Sequence, residues 1–454
     1  MKRLFVTAAG AVLACTVAFG AQAEEFQPCA DSDEAPELAG SLCAVVTTPL
    51  DHGSDAGVSI ELFVRKFPAV GQSSGQVWLV AGGPGESGAS FYPFLDTLRR
   101  AFPDMDLIAP DHRGTGYSSK LCPDQESPES EEGIALAGSE WGPCIGSIYQ
   151  DQARAHAFTI TNAAHDLSNL IATYRADGEV HVYAVSYGTQ LALRMMHVAP
   201  VELDGLILDG LVPPETSIRW DLSRRSELVD QVGRSLLSPM EAATYESVLA
   251  ADPPSPWADV VPGGDLKQFM GSLLNFPDLR ARIPDIITAL SNDDASPLRR
   301  AIEDRQAAFA AITGFAQSAS SAPLVILISA SENNARPDIT QEVVRTEASS
   351  ALFTSPLPAF LASDVLPTYE RDSAFGQIPA ALPRTLVAQG TMDPNTAYEG
   401  ALEHVALLRE AGPVSVATVE GGAHLLLFAA PDCFVGAVRA FMHGETAPST
   451  CAAP

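Results

Sequence analysis

The sequence predicts an α/β protein: a mostly parallel sheet interrupted by one large helical block. Three observations carry this. Short apolar, β-branched runs alternate with helical spacing up to residue 212. From residue 213 to about 380 strand character nearly vanishes, and amphipathic runs separated by Pro take its place. After that the alternation returns. At 454 residues the chain is too long for one simple domain without insertions. The expected layout is a signal segment over 1–23, a sheet core over 24–212, a helical cap over 213–380 inserted after the sixth strand, and the rest of the core over 381–454.

Lys2 and Arg3, the apolar run Leu4 to Gly20, and Ala21-Gln22-Ala23 have the form of a secretory signal cut before Glu24. A lipoprotein cut before Cys15 is disfavoured because the apolar run continues past it. No later stretch reaches the roughly 18 uninterrupted apolar residues of a membrane helix. These features predict a periplasmic or secreted chain with no integral membrane segment once processed. Six cysteines then remain: Cys29, Cys43, Cys122, Cys144, Cys433 and Cys451. Sequence neighbours form three pairs that close short loops, so disulfides 29–43, 122–144 and 433–451 are expected. No C-x-x-C or clustered His accompanies them, which argues against a metal site. The net charge of −29 becomes −31 without Lys2 and Arg3. Such a surface repels nucleic acid and anionic lipid.

In chain order, residues 24 to 45 are acidic and loop-like. Val58 to Phe67 alternates as a strand, and Gln76 to Val80 is a buried strand running into Ala81-Gly82-Gly83-Pro84-Gly85. Asp106 to Ala109 is a strand ending at Asp111-His112-Arg113-Gly114-Thr115-Gly116-Tyr117-Ser118, in which Arg113 braces the loop. Residues 120 to 145 form a polar loop, and Thr159 to Tyr174 a helix. Val180 to Val185 and Gly205 to Leu208 are strands on either side of a helix from Thr189. Inside the block, helical faces run through Leu228, Val229, Val232 and Leu236, then Leu279, Ile283, Ile286, Ile287 and Leu290, then Leu298, Ile302 and Phe309, with Ser296-Pro297 as N-cap and N1. Leu324 to Ile328 is strand-like. Thr385 to Ala388, a helix over 397 to 410, Val414 to Val419 and a helix over 432 to 442 complete the core.

The chemistry starts at Ala184-Val185-Ser186-Tyr187-Gly188, between a strand and a helix. This is the G-x-S-x-G elbow with Ala in the first position. Small flanking residues permit a turn tight enough to lift the Ser186 hydroxyl clear of the backbone. The Tyr187 N–H, at a helix N-terminus, points toward the reacting oxygen. An activated Ser needs a base and a group that orients the base. Asp393, in Gly390-Thr391-Met392-Asp393-Pro394, and His424, in Gly421-Gly422-Ala423-His424, each follow a strand, in the order Ser, acid, His. The loop Gly82-Gly83-Pro84-Gly85 fits the need for a second oxyanion N–H, because glycine lets backbone approach the carbonyl. The glycine-rich loop lacks the G-K-[ST] ending of a phosphate loop.

These motifs resemble those of the α/β-hydrolase peptidases of the prolyl and tripeptidyl aminopeptidase family. Residues 81–85 resemble its H-G-G-P-G, Asp111 to Ser118 its D-x-R-G-x-G-x-S, and the Ser, Asp and His segments its triad motifs. The resemblance runs from about residue 40 to the C-terminus. Ala81 stands where the family has His, and Ala184 where it has Gly. The resemblance implies that Ser186 attacks an acyl carbonyl, His424 takes its proton, Asp393 holds the imidazole, and the N–H groups of Gly83 and Tyr187 receive the oxyanion. It also implies that a cap carboxylate binds the free N-terminal amine of a peptide substrate. Glu332, in LVILISASEN (324–333), is the candidate. No cofactor is called for. An esterase would use the same triad, and a non-catalytic binding protein would be expected to lack part of it.

Overall fold

The computed structural model describes residues 24–251, 257–445 and 450–453, so the signal stretch 1–23 lies outside it. One ten-stranded sheet runs in the order β1-β2-β3-β5-β4-β6-β7-β8-β9-β10. Its strands are β1 (Gln27–Pro28), β2 (Leu42–Pro49), β3 (Ser59–Phe67), β4 (Gly75–Val80), β5 (Met105–Pro110), β6 (Glu179–Val185), β7 (Gly205–Asp209), β8 (Thr385–Gly390), β9 (Val414–Glu420) and β10 (Thr450–Ala452). Pairing is antiparallel from β1 through β3 to β5 and parallel everywhere beyond. The central strands β4, β5, β7 and β8 are buried along their whole length, as a parallel sheet covered on both faces requires.

Alternate residues of each central strand feed two separate cores. Trp78, Val182, Leu206 and Val387 face the helices Ile160–Tyr174 and Tyr187–Val198. Val77, Tyr183, Ile207 and Leu386 face the helix Pro431–Met442 on the other side. The helical block opens after β7, one strand later than expected once the two-residue β1 is counted. It has a third core of its own, in which Leu228, Val232, Ile283, Ile287 and Leu298 meet Phe353. All three expected disulfides are present, at Cys29–Cys43, Cys122–Cys144 and Cys433–Cys451. Among the described residues, no single helix is long and apolar enough to cross a membrane.

Four local expectations are corrected. Residues 42–45 are not loop but the start of β2, whose alternating face pairs with β3 along its full length. Leu324 to Ile328 lies in the helix Ala322–Glu332. A short continuous apolar run does not reveal its period, and Pro323 in the first turn favours the helix. This helix is apolar all round because it is buried all round: Leu324, Leu327 and Ile328 join the core of the sheet rather than that of the cap. The helix that begins at Ser296 is capped one position earlier, by Ala295, with the Ser296 N–H donating to Asp294. Its far end projects outward, leaving Phe309 exposed.

The Cys433–Cys451 bridge, 18 residues apart, ties the last strand to the helix before it. Replacing both cysteines with Ser is expected to cost roughly 3 kcal/mol of unfolding free energy by loop entropy. A lowered midpoint in thermal melts, with the far-ultraviolet circular dichroism retained, would show it.

Candidate active site

The site begins at a backbone irregularity. Ser186 has φ 53° and ψ −123°, a conformation that L-residues rarely hold, at the joint of β6 and the helix Tyr187–Val198. Its N–H donates to the Asp209 carbonyl at 2.9 Å, tying the turn to β7. A Cβ on Gly188 would lie 2.4 Å from the Val80 carbonyl oxygen and 2.7 Å from that of Ala81. This is the close approach for which the elbow needs glycine. Ala184 is fully buried in the strand, where its methyl is accommodated. Among the described residues the Ser186 hydroxyl makes no hydrogen bond, and Ser186 lines an open cleft with Gly83, Pro84, Tyr187, Glu215 and Arg225.

Asp393 and His424 come together as the spacing predicted. His424 Nδ1 lies 2.8 Å from Asp393 Oδ2. The carboxylate also accepts from the N–H groups of Asn395 (2.7 Å) and Thr396 (2.8 Å) and from the Thr396 hydroxyl (2.6 Å). Burial alone would raise Asp393, but His424 and these donors hold it below its ordinary value. Burial, the largest single influence, pulls His424 downward, yet the Asp393 charge and hydrogen bond together with the Asp209 charge outweigh it and leave the imidazole above its ordinary 6.5. The ring packs over Gly210, where a Cβ would come within 2.9 Å of His424 Cε1.

Two buried acids brace the frame, and neither was foreseen in this role. Asp209 ends β7 and accepts from the N–H groups of Leu426 (2.9 Å) and Leu427 (3.1 Å) and from the Tyr183 hydroxyl (2.8 Å), fixing the turn just past His424. Asp111 accepts from the N–H groups of Gly88 and Tyr117, both at 2.8 Å, and from Gln317 Nε2 at 2.7 Å. It thereby anchors the glycine-rich loop to the helical block. Gly83 has φ +107° within that loop. Arg113 braces as expected: its guanidinium is buried against Asp166 (2.7 Å) and the Ala157 carbonyl (2.7 Å).

Glu332 is not brought to the cleft. Its carboxylate is buried, bound to Arg194 at 2.9 Å and to the Tyr369 hydroxyl at 2.8 Å. Burial pushes it upward, with Arg194 opposing. The residue after it, Asn333, lines the cleft instead. So does Glu215, which accepts from Gln190 (2.9 Å) and Arg194 (2.7 Å). Arg194 therefore stands between two carboxylates, with Asp372 a third at 3.8 Å. Sequence reasoning missed Glu215, though it follows Pro213-Pro214 past a core strand, where loops carry function. It also missed Glu86, directly after the glycine-rich loop. Burial raises that carboxyl, while His424 and the Gly82 N–H oppose the rise.

Two family models match the chain: an alpha/beta hydrolase fold over residues 77–235, and a TAP-like protein over residues 362–452. The chain has the α/β-hydrolase fold. The serine protease Hip1 of Mycobacterium tuberculosis is 28% identical over 211 residues, which are 42% of this chain and 40% of Hip1. The putative hydrolase YuaR of Escherichia coli is 28% identical over 197 residues, 39% of this chain and 37% of that one. Carboxylesterase B of M. tuberculosis is 34% identical over 90 residues, 18% of this chain and 16% of that one. The chain thus matches well under half the length of these relatives. A thermophilic esterase from Thermogutta terrifontis superimposes with a TM-score of 0.39 at 14% identity, covering 88% of this chain and 99% of its own. At that score it adds nothing to the fold assignment.

Asp393→Asn removes the largest of the charges that together oppose burial at His424. The imidazole, titrated by NMR, is expected above 6.5 in the unaltered protein and below it in the variant. An unchanged value would show that Asp393 does not hold His424 electrostatically.

Proposed function

We propose that the chain is a secreted or periplasmic serine hydrolase that releases residues or short peptides from the N-terminus of a peptide substrate. One observation carries the reading. A strained, unbonded serine shares one cleft with Gly83, Tyr187 and Thr396, and Thr396 donates to the buried aspartate that holds His424. Ser186 Oγ attacks the scissile carbonyl and its proton passes to His424 Nε2. Asp393 stabilises the imidazolium that forms. The Gly83 and Tyr187 N–H groups take the oxyanion, and collapse of the intermediate expels the amine with the proton from His424. Water then hydrolyses the acyl-enzyme by the same steps.

The amine-binding role passes from Glu332 to Glu215. One guanidinium among three carboxylates leaves excess negative charge, and Glu215, held by Gln190, Arg194 and the Gly376 N–H, is the one of the three that lines the cleft. A substrate ammonium neutralises that excess; Glu332 keeps Arg194 in place. The likenesses to Hip1 and to the TAP-like model accord with peptide cleavage. The second reading, an esterase, is favoured by the likeness to carboxylesterase B. Residues 1–23 and the three disulfides support export.

A free-amine tripeptide anilide, its N-acetylated form and a short nitrophenyl ester separate these readings. Turnover of the free-amine anilide, abolished in Ser186→Ala, is the expected result; turnover of the ester alone would make the protein an esterase. Glu215→Gln is expected to raise KM for the free-amine substrate by about tenfold to a hundredfold, erasing its advantage over the acetylated one. Glu332→Gln is expected to lower thermal stability first.

The pH dependence follows from two ionisations. His424 must be neutral to act as base, and its raised value places the acid limb of kcat/KM above pH 6.5. The substrate amine, about 7.7 to 8.0 in free peptides, must keep its proton and sets the alkaline limb. A profile that stays flat into alkaline pH would remove amine recognition from the mechanism.

A further inference from the structure

We infer that Arg225 is the receptor for a carboxylate on the leaving-group side of the scissile bond, so that substrates bearing an anion there are preferred. This rests on the hydrolase reading above. Arg225 opens the helix Arg225–Ser235 and lines the same cleft as Ser186. Its guanidinium makes one hydrogen bond among the described residues, from Nη1 to Asn395 Oδ1 at 2.8 Å, and no ion pair. Of the arginines buried elsewhere, Arg65, Arg113 and Arg194 are each paired with a carboxylate at 2.6 to 2.9 Å, while Arg280 donates to the Gly421 carbonyl at 2.6 Å and does not line this cleft. The two acids that act on Arg225 are committed to other groups. Asp393 serves His424, Thr396 and Asn395, while Asp221 accepts from the Ser223 hydroxyl and the Ala335 N–H. Burial draws the guanidinium down to about 10, which leaves it charged at neutral pH.

A largely buried cation with only a neutral amide oxygen as partner is costly to hold, and in a chain with net charge −29 an acidic neighbour would be easy to supply. A guanidinium with its fork free toward a cleft matches the two oxygens of a carboxylate. Its anchorage tells which end of the substrate it meets. Asn395, which holds Arg225, donates its own N–H to Asp393 at 2.7 Å, and Asp393 holds His424. In acyl transfer the histidine hands its proton to the leaving group, so a receptor on the His424 side faces that group. Glu215 is anchored instead to the helix that starts at the nucleophile, through Gln190 and Arg194. The two receptors together suit short peptides whose free amine and nearby carboxylate flank the bond. The carboxylate is either a C-terminus or an acidic side chain.

The test compares Ala-Ala-Ala-Ala as free acid, the same peptide as amide, and Ala-Ala-Ala-Asp as amide. It adds 4-carboxyphenyl acetate against 4-carbamoylphenyl acetate, with fluorophosphonate labelling of Ser186 as a report on the nucleophile. The free acid is expected to exceed its amide in kcat/KM by about tenfold or more, through KM. Arg225→Gln removes the preference and Arg225→Lys keeps part of it. Recovery in the Asp amide assigns the receptor to side chains; no recovery assigns it to C-termini. If Ser186 is labelled but no peptide is cleaved, the aminopeptidase reading fails alone and the ester pair decides, with the charged ester expected to win. Equal kcat/KM within both pairs in the unaltered protein overturns the inference, as does a preference that survives Arg225→Gln. So does an equal loss of kcat for both members of a pair, which marks Arg225 as a mere support for Asn395.

Discussion

The site depends on one strained residue. A non-glycine backbone at φ 53°, ψ −123° costs on the order of 1–3 kcal/mol and persists only where its surroundings over-determine it. Around Ser186 they do. The N–H is held by β7, Gly188 lies against the carbonyls that end β4, and Gly82 clears room for the Ser186 side chain, whose Cβ would meet a Gly82 Cβ at 3.2 Å. Three adjacent parallel strands therefore share the strain. Among the described residues the other non-glycine positive φ values belong to Asp293, Asp364 and Leu425. The aspartates sit in loops and tolerate the left-handed region through their short polar side chains. Leu425 is different: it follows His424 directly, so Ser186 and the neighbour of His424 both have unusual backbone.

Charge is arranged around that turn with equal economy. Two buried aspartates act on His424, but only one is hydrogen-bonded to it. Asp209 already spends its oxygens on Leu426, Leu427 and Tyr183, which keeps it structural. Asp393 faces the ring. The two arginines of the cleft region are likewise opposites. Arg194 is surrounded by carboxylates and serves to place them; Arg225 is left with an amide oxygen and a free face. Net charge alone, which speaks to solubility, conveys none of this, because the pairing pattern rather than the total creates a local field.

Much of the frame was legible from the chain, for identifiable reasons. Ser186, Asp393 and His424 each sit just past a strand, and strand ends on one edge of a parallel sheet must converge. The disulfides followed from short loops. What escaped had no period or motif to announce it. The helix at 322–332 is apolar on every side, so its sequence reads equally as strand. Glu332 was then one residue away from the position that lines the cleft, and on a helix one residue is a turn of about 100°. Glu215 and Arg225 lie in segments whose sequence carries no fold signal; their roles exist only once loop and cap meet over Ser186. Asp209 was hidden by its own strand, whose apolar run drew attention to Gly205 through Leu208.

The helical block is therefore more than a lid above a finished site. Its segment near 317–321 grips the glycine-rich loop directly: the Ser321 N–H donates to the Gly85 carbonyl at 2.9 Å, and the Ser87 hydroxyl to the Gln317 carbonyl at 2.6 Å. A Cβ on Gly85 would lie 2.5 Å from the Ser321 carbonyl oxygen, so the two backbones are in contact with no side chain between them. Gln317 completes the grip by reaching Asp111, which in turn holds the Gly88 N–H. The glycine-rich loop is thus tied to residues separated from it in sequence by more than 200 positions. A loop with Ala81 at its start has no side-chain donor there to fix it from within. The block provides that rigidity from outside, and at its other end brings Arg225 to the same cleft. Preorganised donors lower a barrier only if they do not have to move when charge develops. Packing of the block against the sheet core through Leu324, Leu327 and Ile328 is what keeps them still.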